Sequence, residues 1–252
     1  MDMLLKGKRV LISGASSGIG REIARLFAIQ KAHIVVTARR EDRLTLLLDE
    51  LEQLGAMSAT AIPADVTSDK SISELAQQVA KKIDGIDILI NAAGAARPTM
   101  LDASEEFWEE AMALNFHSAR WLTTALLPNM RKRGWGRIIN ISGSMEPRAL
   151  NASTAAKAAM HLWSKGLSCD LAAEGITVNC VVPGRINSEQ IRNVLYPTEH
   201  ARQQFIDHNI PIGYFGEPED LGHLVVFLSS PLARYITGTV IPVDGGMHYF
   251  AH

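Results

Sequence analysis

Short runs of branched apolar residues alternate along the chain with longer stretches whose apolar positions recur at helical spacing. Arg9-Val10-Leu11-Ile12 has the length and branching of a buried strand, and Ile19, Ile23, Leu26 and Phe27 then fall on one side of a helix. The same pattern predicts strands at 33–38, 58–63, 86–90, 137–141, 177–182 and 238–243. Helices are predicted at 41–54 before Gly55, at 71–83 opening at Thr67 or Ser68, and at 153–173 before Gly175. A long helical region at 105–133 divides into two pieces, with Asn115 near its middle. Near-continuous apolar strands alternating with helices mean an α/β fold with a parallel sheet covered by helices on both faces. No repeat or low-complexity linker interrupts the pattern, so residues 1–252 read as a single domain. Ligands of such sheets bind beyond the carboxyl ends of the strands, which makes the residues after each strand the ones to examine.

Composition narrows the partners. The chain is 47% hydrophobic and 21% charged with a net charge of −2, which provides no footprint for nucleic acid or an anionic membrane. The basic run Arg131-Lys132-Arg133 reads as the charged end of a helix before Gly134. No apolar run has the length of a membrane span, and the first residues lack a signal-peptide layout. Cys169 and Cys180 lack C-x-x-C spacing and read as reduced core residues; no metal-ligand pattern is present. A small-molecule protein of the cytoplasm is the expectation.

The chemistry begins after the first strand, at Ser13-Gly14-Ala15-Ser16-Ser17-Gly18-Ile19-Gly20. A strand, a glycine-rich turn and a helix start together make an anion site, because free backbone N–H groups and the positive end of the helix dipole face the ligand. Gly14 permits the tight turn, Gly18 lets a diphosphate approach the backbone, and Gly20 lets helix and strand pack closely. Ser16, Ser17 and Ile19 complete the candidate loop. After the second strand, where an NAD site carries a carboxylate, stand Ala38, Arg39 and Arg40. The two arginines suit a 2′-phosphate, or else form a solvated charge pair with Glu41 and Asp42. Asp65-Val66 after the third strand offers an adenine a resting place, or Asp65 caps the next helix. Asn91-Ala92-Ala93-Gly94 after the fourth leaves room for a cofactor against the backbone, or is a tight turn.

These motifs, with Asn115, 137–141, Pro183-Gly184 and the ending from Gly216-Glu217-Pro218-Glu219-Asp220 through Val243-Asp244-Gly245-Gly246, resemble the short-chain dehydrogenase/reductase family over nearly the whole chain. Within it, the ending is similar to the 3-oxoacyl-carrier-protein reductase and sugar/polyol dehydrogenase branch. The resemblance implies a Rossmann-type α/β fold, a doubly wound, mostly seven-stranded parallel sheet with helices on both faces that makes residues 1–252 one dinucleotide-binding domain. It also implies a nicotinamide dinucleotide cofactor, NADP(H) by the arginines and NAD(H) as the alternative, a small carbonyl or alcohol substrate, and a homotetramer or dimer. It assigns the nicotinamide ribose to Lys157, a water-holding role to Asn115, the carboxamide to Ile186 and Ser188 after Pro183-Gly184, and a substrate lid to about 188–216.

The resemblance breaks where the family performs its chemistry. The family's tyrosine stands four residues before its lysine; here Ser153 precedes Lys157, and the tyrosines are Tyr196, Tyr214, Tyr235 and Tyr249. The family's serine slot falls on Gly143, between Ser142 and Ser144, and the loop to 153 is about three residues short by this resemblance. A serine hydroxyl is far less acidic than a lysine-assisted phenol of reference pKa about 10 and does not replace it as a proton donor. The expected polar site is therefore Asn115, Ser142, Ser144, Ser153 and Lys157. The proton comes from a water chain between Lys157 and Asn115, or from Tyr196 or Tyr214 of the lid. His161 shares the Ser153–Lys157 helix face and reads as a packed histidine, and Arg185, Glu146 and Arg148 are candidates for facing an anionic substrate group. The reading is a divergent NADP(H)-dependent oxidoreductase. Its rivals are a dinucleotide-binding sensor or partner subunit without turnover, and a reductase of carbon–carbon double bonds.

Overall fold

A computed structural model describes residues 2–144, 146–189 and 191–249. Seven strands form one sheet: β1 (Arg9–Ser13), β2 (His33–Thr37), β3 (Ser58–Ala61), β4 (Ile88–Asn91), β5 (Gly136–Ile141), β6 (Ile176–Pro183) and β7 (Val240–Val243). Their order is β3-β2-β1-β4-β5-β6-β7, and every neighbouring pair is parallel. Residues alternate between the two faces, as a pleated strand requires. Val10 and Ile12 join one buried cluster with Ile23, Phe27 and Leu221, whereas Leu11 joins the other with Val35, Leu75 and Leu122. Both faces of the central strands are therefore core, whereas the edge strands β3 and β7 have no fully buried residue.

The helices are α1 (Gly18–Ile29), α2 (Glu41–Gln53), α3 (Asp69–Ile83), α4 (Glu105–Met112), α5 (Ser118–Arg133), α6 (Ala152–Leu171), α7 (Glu199–Asn209) and α8 (Pro218–Leu228). The long region at 105–133 does divide in two, at a π-helical turn over Ala113–His117. Ser68, not Thr67, caps α3 by accepting the Ser71 N–H. The pattern at the sequence level left two helices unread. α7 buries none of its residues and so carries no apolar stripe, while α8 opens with a reciprocal cap between Glu217 and Asp220. Cys169 is exposed on α6, contrary to its reading as a core residue, whereas Cys180 is buried in β6.

The chain winds from β1 outward to β3 on one side, then returns past β1 to build β4 through β7 on the other. The reversal separates the loops that follow β1 and β4 and opens a crevice at the carboxyl edge between them. Among the described residues no helix is long and apolar enough to cross a membrane, and no cluster of His, Cys, Asp or Glu is arranged to hold a metal ion.

Candidate active site

The crevice is a cavity of about 730 Å³. Its floor begins at the β1–α1 turn, where each glycine has its own reason. Gly14 has φ +69°, and a Cβ there would lie 2.8 Å from the Ala93 nitrogen. A Cβ on Gly20 would lie 2.5 Å from the Gly14 carbonyl oxygen, so helix and strand touch backbone to backbone. Gly18, at φ +55°, needs only its left-handed conformation, with Ser188 Cβ 3.6 Å from the position a Cβ would take.

The start of α1 has no side-chain cap and no acidic residue in its first turn. α3, α4, α6 and α7 are each capped by a side chain, from Ser68, Ser104, Asn151 and Thr198. An α1 start left open in this way presents free N–H donors to an anion. Arg40 leans over it, its Nη2 donating to Ser16 Oγ and Ser17 Oγ at 2.9 Å each. Arg39 is exposed. Gly14, Ser16, Ser17, Gly18, Ile19, Gly20, Arg39 and Arg40 all line the cavity. Together they form a cradle with phosphate chemistry and a guanidinium at its rim.

Asp65 and Val66 line the next section of wall. Asp65 accepts the Thr67 N–H at 2.9 Å and the Thr67 hydroxyl at 2.7 Å, so it shapes the turn before α3 and does not cap the helix itself. The Thr67 backbone bond holds its carboxyl below the usual range. Ala92, Ala93 and Gly94 also line the cavity. Asn91 belongs elsewhere: as the last residue of β4 it is buried, donating to Asn140 Oδ1 at 2.8 Å and Thr123 Oγ1 at 3.3 Å. Strand parity turns its amide into the interior, away from the cofactor contact expected of it. Ser13, to which the motif reading gave no role of its own, fixes this loop, since its Oγ accepts the N–H groups of Ala92 and Ala93 at 3.2 and 3.3 Å.

Behind Gly94, which lines the cavity, lies a buried polar cluster that does not itself line it. Asn115 is 1% exposed and sits in the π-helical turn. Its Nδ2 donates to Ala111 O at 3.0 Å and its Oδ1 accepts the Ala95 N–H at 3.1 Å. Lys157 is 8% exposed, and its Nζ donates to Ile141 O at 2.8 Å. A Cβ on Gly94 would lie 3.0 Å from Asn115 Oδ1 and 3.3 Å from Lys157 Nζ, so the bare glycine keeps open the space where the two meet. Burial lowers the Lys157 pKa to about 8. A buried ammonium with a lowered pKa thus lies just behind the Gly94 wall of the crevice.

The serines around it are already engaged. Ser142 is buried and hydrogen-bonds His161 Nε2, whose ring burial and the Lys157 charge push to a pKa of about 4. Ser144 Oγ accepts the Glu146 N–H at 3.1 Å. Ser153 Oγ donates to Asn151 Oδ1 at 2.6 Å, and the same oxygen accepts the Ser153 N–H at 3.0 Å. Asn151 is thereby the cap of α6, a role the sequence pattern did not assign. Ser142 and Ser153 thus hold structural bonds, to His161 and Asn151. Lys157 and His161, one turn apart on α6, grip the consecutive residues Ile141 and Ser142 at the end of β5.

The segment after β6 closes the other side. Pro183 ends β6, and Gly184 runs so near the chain that a Cβ would lie 2.5 Å from Asp244 Cα. Ile186 is buried and bridges Gly216, so of the four expected contacts in this stretch only Ser188 lines the cavity. Tyr196 stacks with Phe205 and Phe215, and its hydroxyl accepts from Arg185 Nε at 3.3 Å; Tyr214 is exposed. Arg185 lies over the rings of Tyr196 and Phe205. Glu146 accepts the Tyr249 N–H at 2.8 Å, and Arg148 hydrogen-bonds the Tyr249 hydroxyl and Asn209. These residues tie the shortened loop to α7 and the C-terminal segment, in place of the substrate-facing position considered for them.

A family model described as enoyl-(acyl carrier protein) reductase matches residues 14–248. The chain belongs to the short-chain dehydrogenase/reductase family. Among the relatives of this short-chain dehydrogenase/reductase, a 3-oxoacyl-[acyl-carrier-protein] reductase of Aquifex aeolicus is 34% identical, over 98% of this chain and 100% of the relative. A 7alpha-hydroxysteroid dehydrogenase of Escherichia coli is also 34% identical, over 97% and 96% respectively. An L-sorbose reductase of Gluconobacter frateurii, solved with NADPH and L-sorbose, superposes with a TM-score of 0.94 at 33% identity, covering 99% of this chain and 100% of that one.

Proposed function

We propose that the protein is a divergent NADP(H)-dependent oxidoreductase that passes hydride between nicotinamide and a carbonyl/alcohol pair. The observation that carries this reading is the single cavity that runs from the uncapped start of α1, beneath Arg40, to Ala92, Ala93 and Gly94, with the buried Asn115 and Lys157 directly behind Gly94. The residues fit the dinucleotide: the glycine turn and the open α1 N–H groups suit the diphosphate, Arg39 and Arg40 the 2′-phosphate, Asp65 and Val66 the adenosine, and Ala92 to Gly94 the face of the nicotinamide. Pro183, Gly184 and Ile186 shape the chain that brings Ser188 to the opposite wall. NADPH in the Gluconobacter frateurii L-sorbose reductase supports the phosphorylated form over NAD(H). The protein would act as one dinucleotide-binding domain whose segment 188–216 covers the substrate, within a homo-oligomer.

When bound, the cofactor supplies the hydride; the protein supplies the proton and the shape. No tyrosine stands four residues before Lys157, and Gly143 fills the slot of the family's serine. Lys157 Nζ is left as the acid, delivering its proton directly or through a water held at Asn115, and taking another from solvent. Its pKa of about 8 keeps it mostly protonated at pH 7 while letting it release the proton readily.

Two observations favour other readings. The Ser153 hydroxyl is bound within its own helix start, which suits a dinucleotide sensor or partner subunit without turnover. The matching family model is described as an enoyl reductase, which suits reduction of a carbon–carbon double bond. Titration with NADPH and NADH, following nicotinamide fluorescence, and then NADPH oxidation across carbonyls and enones, distinguishes the three. If Lys157 is the acid, carbonyl reduction falls as pH rises through about 8, because the acid must be protonated, and Lys157→Met abolishes both rate and inflection. Binding of neither dinucleotide ends the oxidoreductase reading, and binding without oxidation of any carbonyl or enone leaves the sensor.

A further inference from the structure

At the adenosine end of the cavity a carboxylate stands where an anion of the ligand is expected. Glu189, the residue after Ser188, takes Arg43 Nη1 at 2.7 and 2.9 Å on its two oxygens and lies 3.8 Å from Arg40 Nη1. Arg40 and Arg43 are the N-cap and third residue of α2, and Glu189 comes from the opposite wall, 146 positions from Arg43. Arg40 is thus shared: one edge rests on Ser16 and Ser17 of the glycine turn, and the other faces Glu189. Glu189 lines the same cavity as Gly18, Arg39 and Arg40, and its side chain is 51% exposed, so it spans the mouth and is not part of the core.

We propose that Glu189 is a specificity-determining residue: its carboxylate, held by Arg43, faces Arg40, one of the two arginines assigned to the 2′-phosphate, so NADP(H) enters against an internal anion. The inference rests on the NADP(H) reading above and adds to it. Two guanidiniums and one carboxylate leave a net positive charge for a phosphate of about two negative charges. The phosphate therefore wins the site, but against repulsion from Glu189 or after that side chain has swung out. NAD(H), whose 2′-hydroxyl carries no charge, leaves the Glu189–Arg43 pair intact. Glu189 thus narrows the preference for the phosphorylated cofactor, and it joins the first turn of the substrate-covering segment to the cofactor's adenosine end.

The test is Glu189→Gln in the full chain, with dissociation constants measured by fluorescence titration for NADPH and NADH. 2′,5′-ADP and 5′-ADP serve as displacing probes that differ only in the phosphate. Removing one exposed charge next to the phosphate should tighten NADPH and 2′,5′-ADP roughly three- to tenfold, leave NADH and 5′-ADP unchanged, and lose most of the gain in high salt. An unchanged or reduced ratio between the phosphorylated and unphosphorylated ligands overturns the proposal. Equal tightening of all four ligands also overturns it, since that would be a general effect on the cavity mouth. The wild-type protein reports on the underlying reading separately. A wild type without NADPH preference that acquires one in Glu189→Gln retains the proposal and corrects the cofactor preference, whereas no preference in either protein removes both. Thermal unfolding of the variant, expected within about 2 °C of wild type for an exposed pair, checks that the fold is intact.

Discussion

Two helix starts stand at the carboxyl edge of the same sheet and are built in opposite ways. At α1 the turn is bare backbone: glycines at 14, 18 and 20, an N-cap serine that caps nothing, and no acid in the first turn. At α6 the corresponding groups are satisfied from within. Asn151 takes both the N–H and the hydroxyl of Ser153, and the preceding loop is fastened through Glu146 and Arg148 to the C-terminal segment and α7. Open donors at a helix start cost stability unless water or a ligand fills them, so a chain that leaves them open is arranged for an anion. A start whose donors and hydroxyls are internally paired has settled into structure. The start of α1 therefore keeps the form of an anion site, while the start of α6 has its polar groups paired within the fold.

The most damaging way to break this contrast is to give the open start a side chain. In Gly20→Ala the new Cβ would fall 2.5 Å from the Gly14 carbonyl and 3.2 Å from the Ala15 nitrogen, both backbone atoms that cannot step aside cheaply. The turn must open, and dinucleotide affinity should fall roughly 10- to 100-fold, with a stability loss of about 1–3 kcal/mol. Fluorescence titration and urea unfolding measure the two. Retained affinity would mean that the α1 start is not where the dinucleotide binds.

The converse change reopens the settled start. Gly143 has no positive φ, and a Cβ there would meet Lys157 Cγ at 3.4 Å, an ordinary contact, so a serine fits. Gly143→Ser with Ser153→Tyr places a phenol one helical turn before Lys157 and a hydroxyl beside it. If only the proton donor has been lost, carbonyl reduction by the double variant should rise about tenfold or more over wild type, since a positioned acid contributes at least that much. A variant that binds NADPH as wild type does but turns over no faster would show that the shortened loop has closed the substrate space as well.

Those two helix starts also mark what a sequence discloses. The α1 cradle lies within eight consecutive residues, Ser13 to Gly20, and both the turn and its ligand chemistry are short-range, so the motif is readable. The central strands are readable because burial on both faces makes them largely apolar, although their ends shift: β4 is Ile88–Asn91 against the 86–90 of the pattern. Long-range pairings leave no local trace. Arg43 and Glu189 meet across 146 positions, and Asn91 reads as a loop residue until strand parity places it against Asn140 in the interior. The missing phenol before Lys157 is visible in the sequence; that Asn151 claims the Ser153 hydroxyl is not, because it depends on the rotation of the first turn of α6.

The smallest effect lies one turn further along α6 and tests whether that helix face serves structure or chemistry. His161 is held to a pKa of about 4 by burial and by the Lys157 charge, against about 6.5 in an unfolded chain. Between those values the unfolded state binds more protons, so His161 should subtract stability as pH falls from 6.5 to 4 and contribute nothing to the slope above 6.5. His161→Gln keeps a group able to hydrogen-bond Ser142 and removes the titration. Its unfolding free energy should lose less than wild type's over that window, by on the order of 1–2 kcal/mol, while the two proteins run parallel at higher pH. Urea unfolding at several pH values measures the difference. Parallel curves down to pH 4 would mean that the imidazole accepts its proton in the folded state, which requires it to swing out from between Ser142 and Lys157. The α6 start would then be a movable element of the site, and the contrast with α1 would be one of mobility in place of satisfaction.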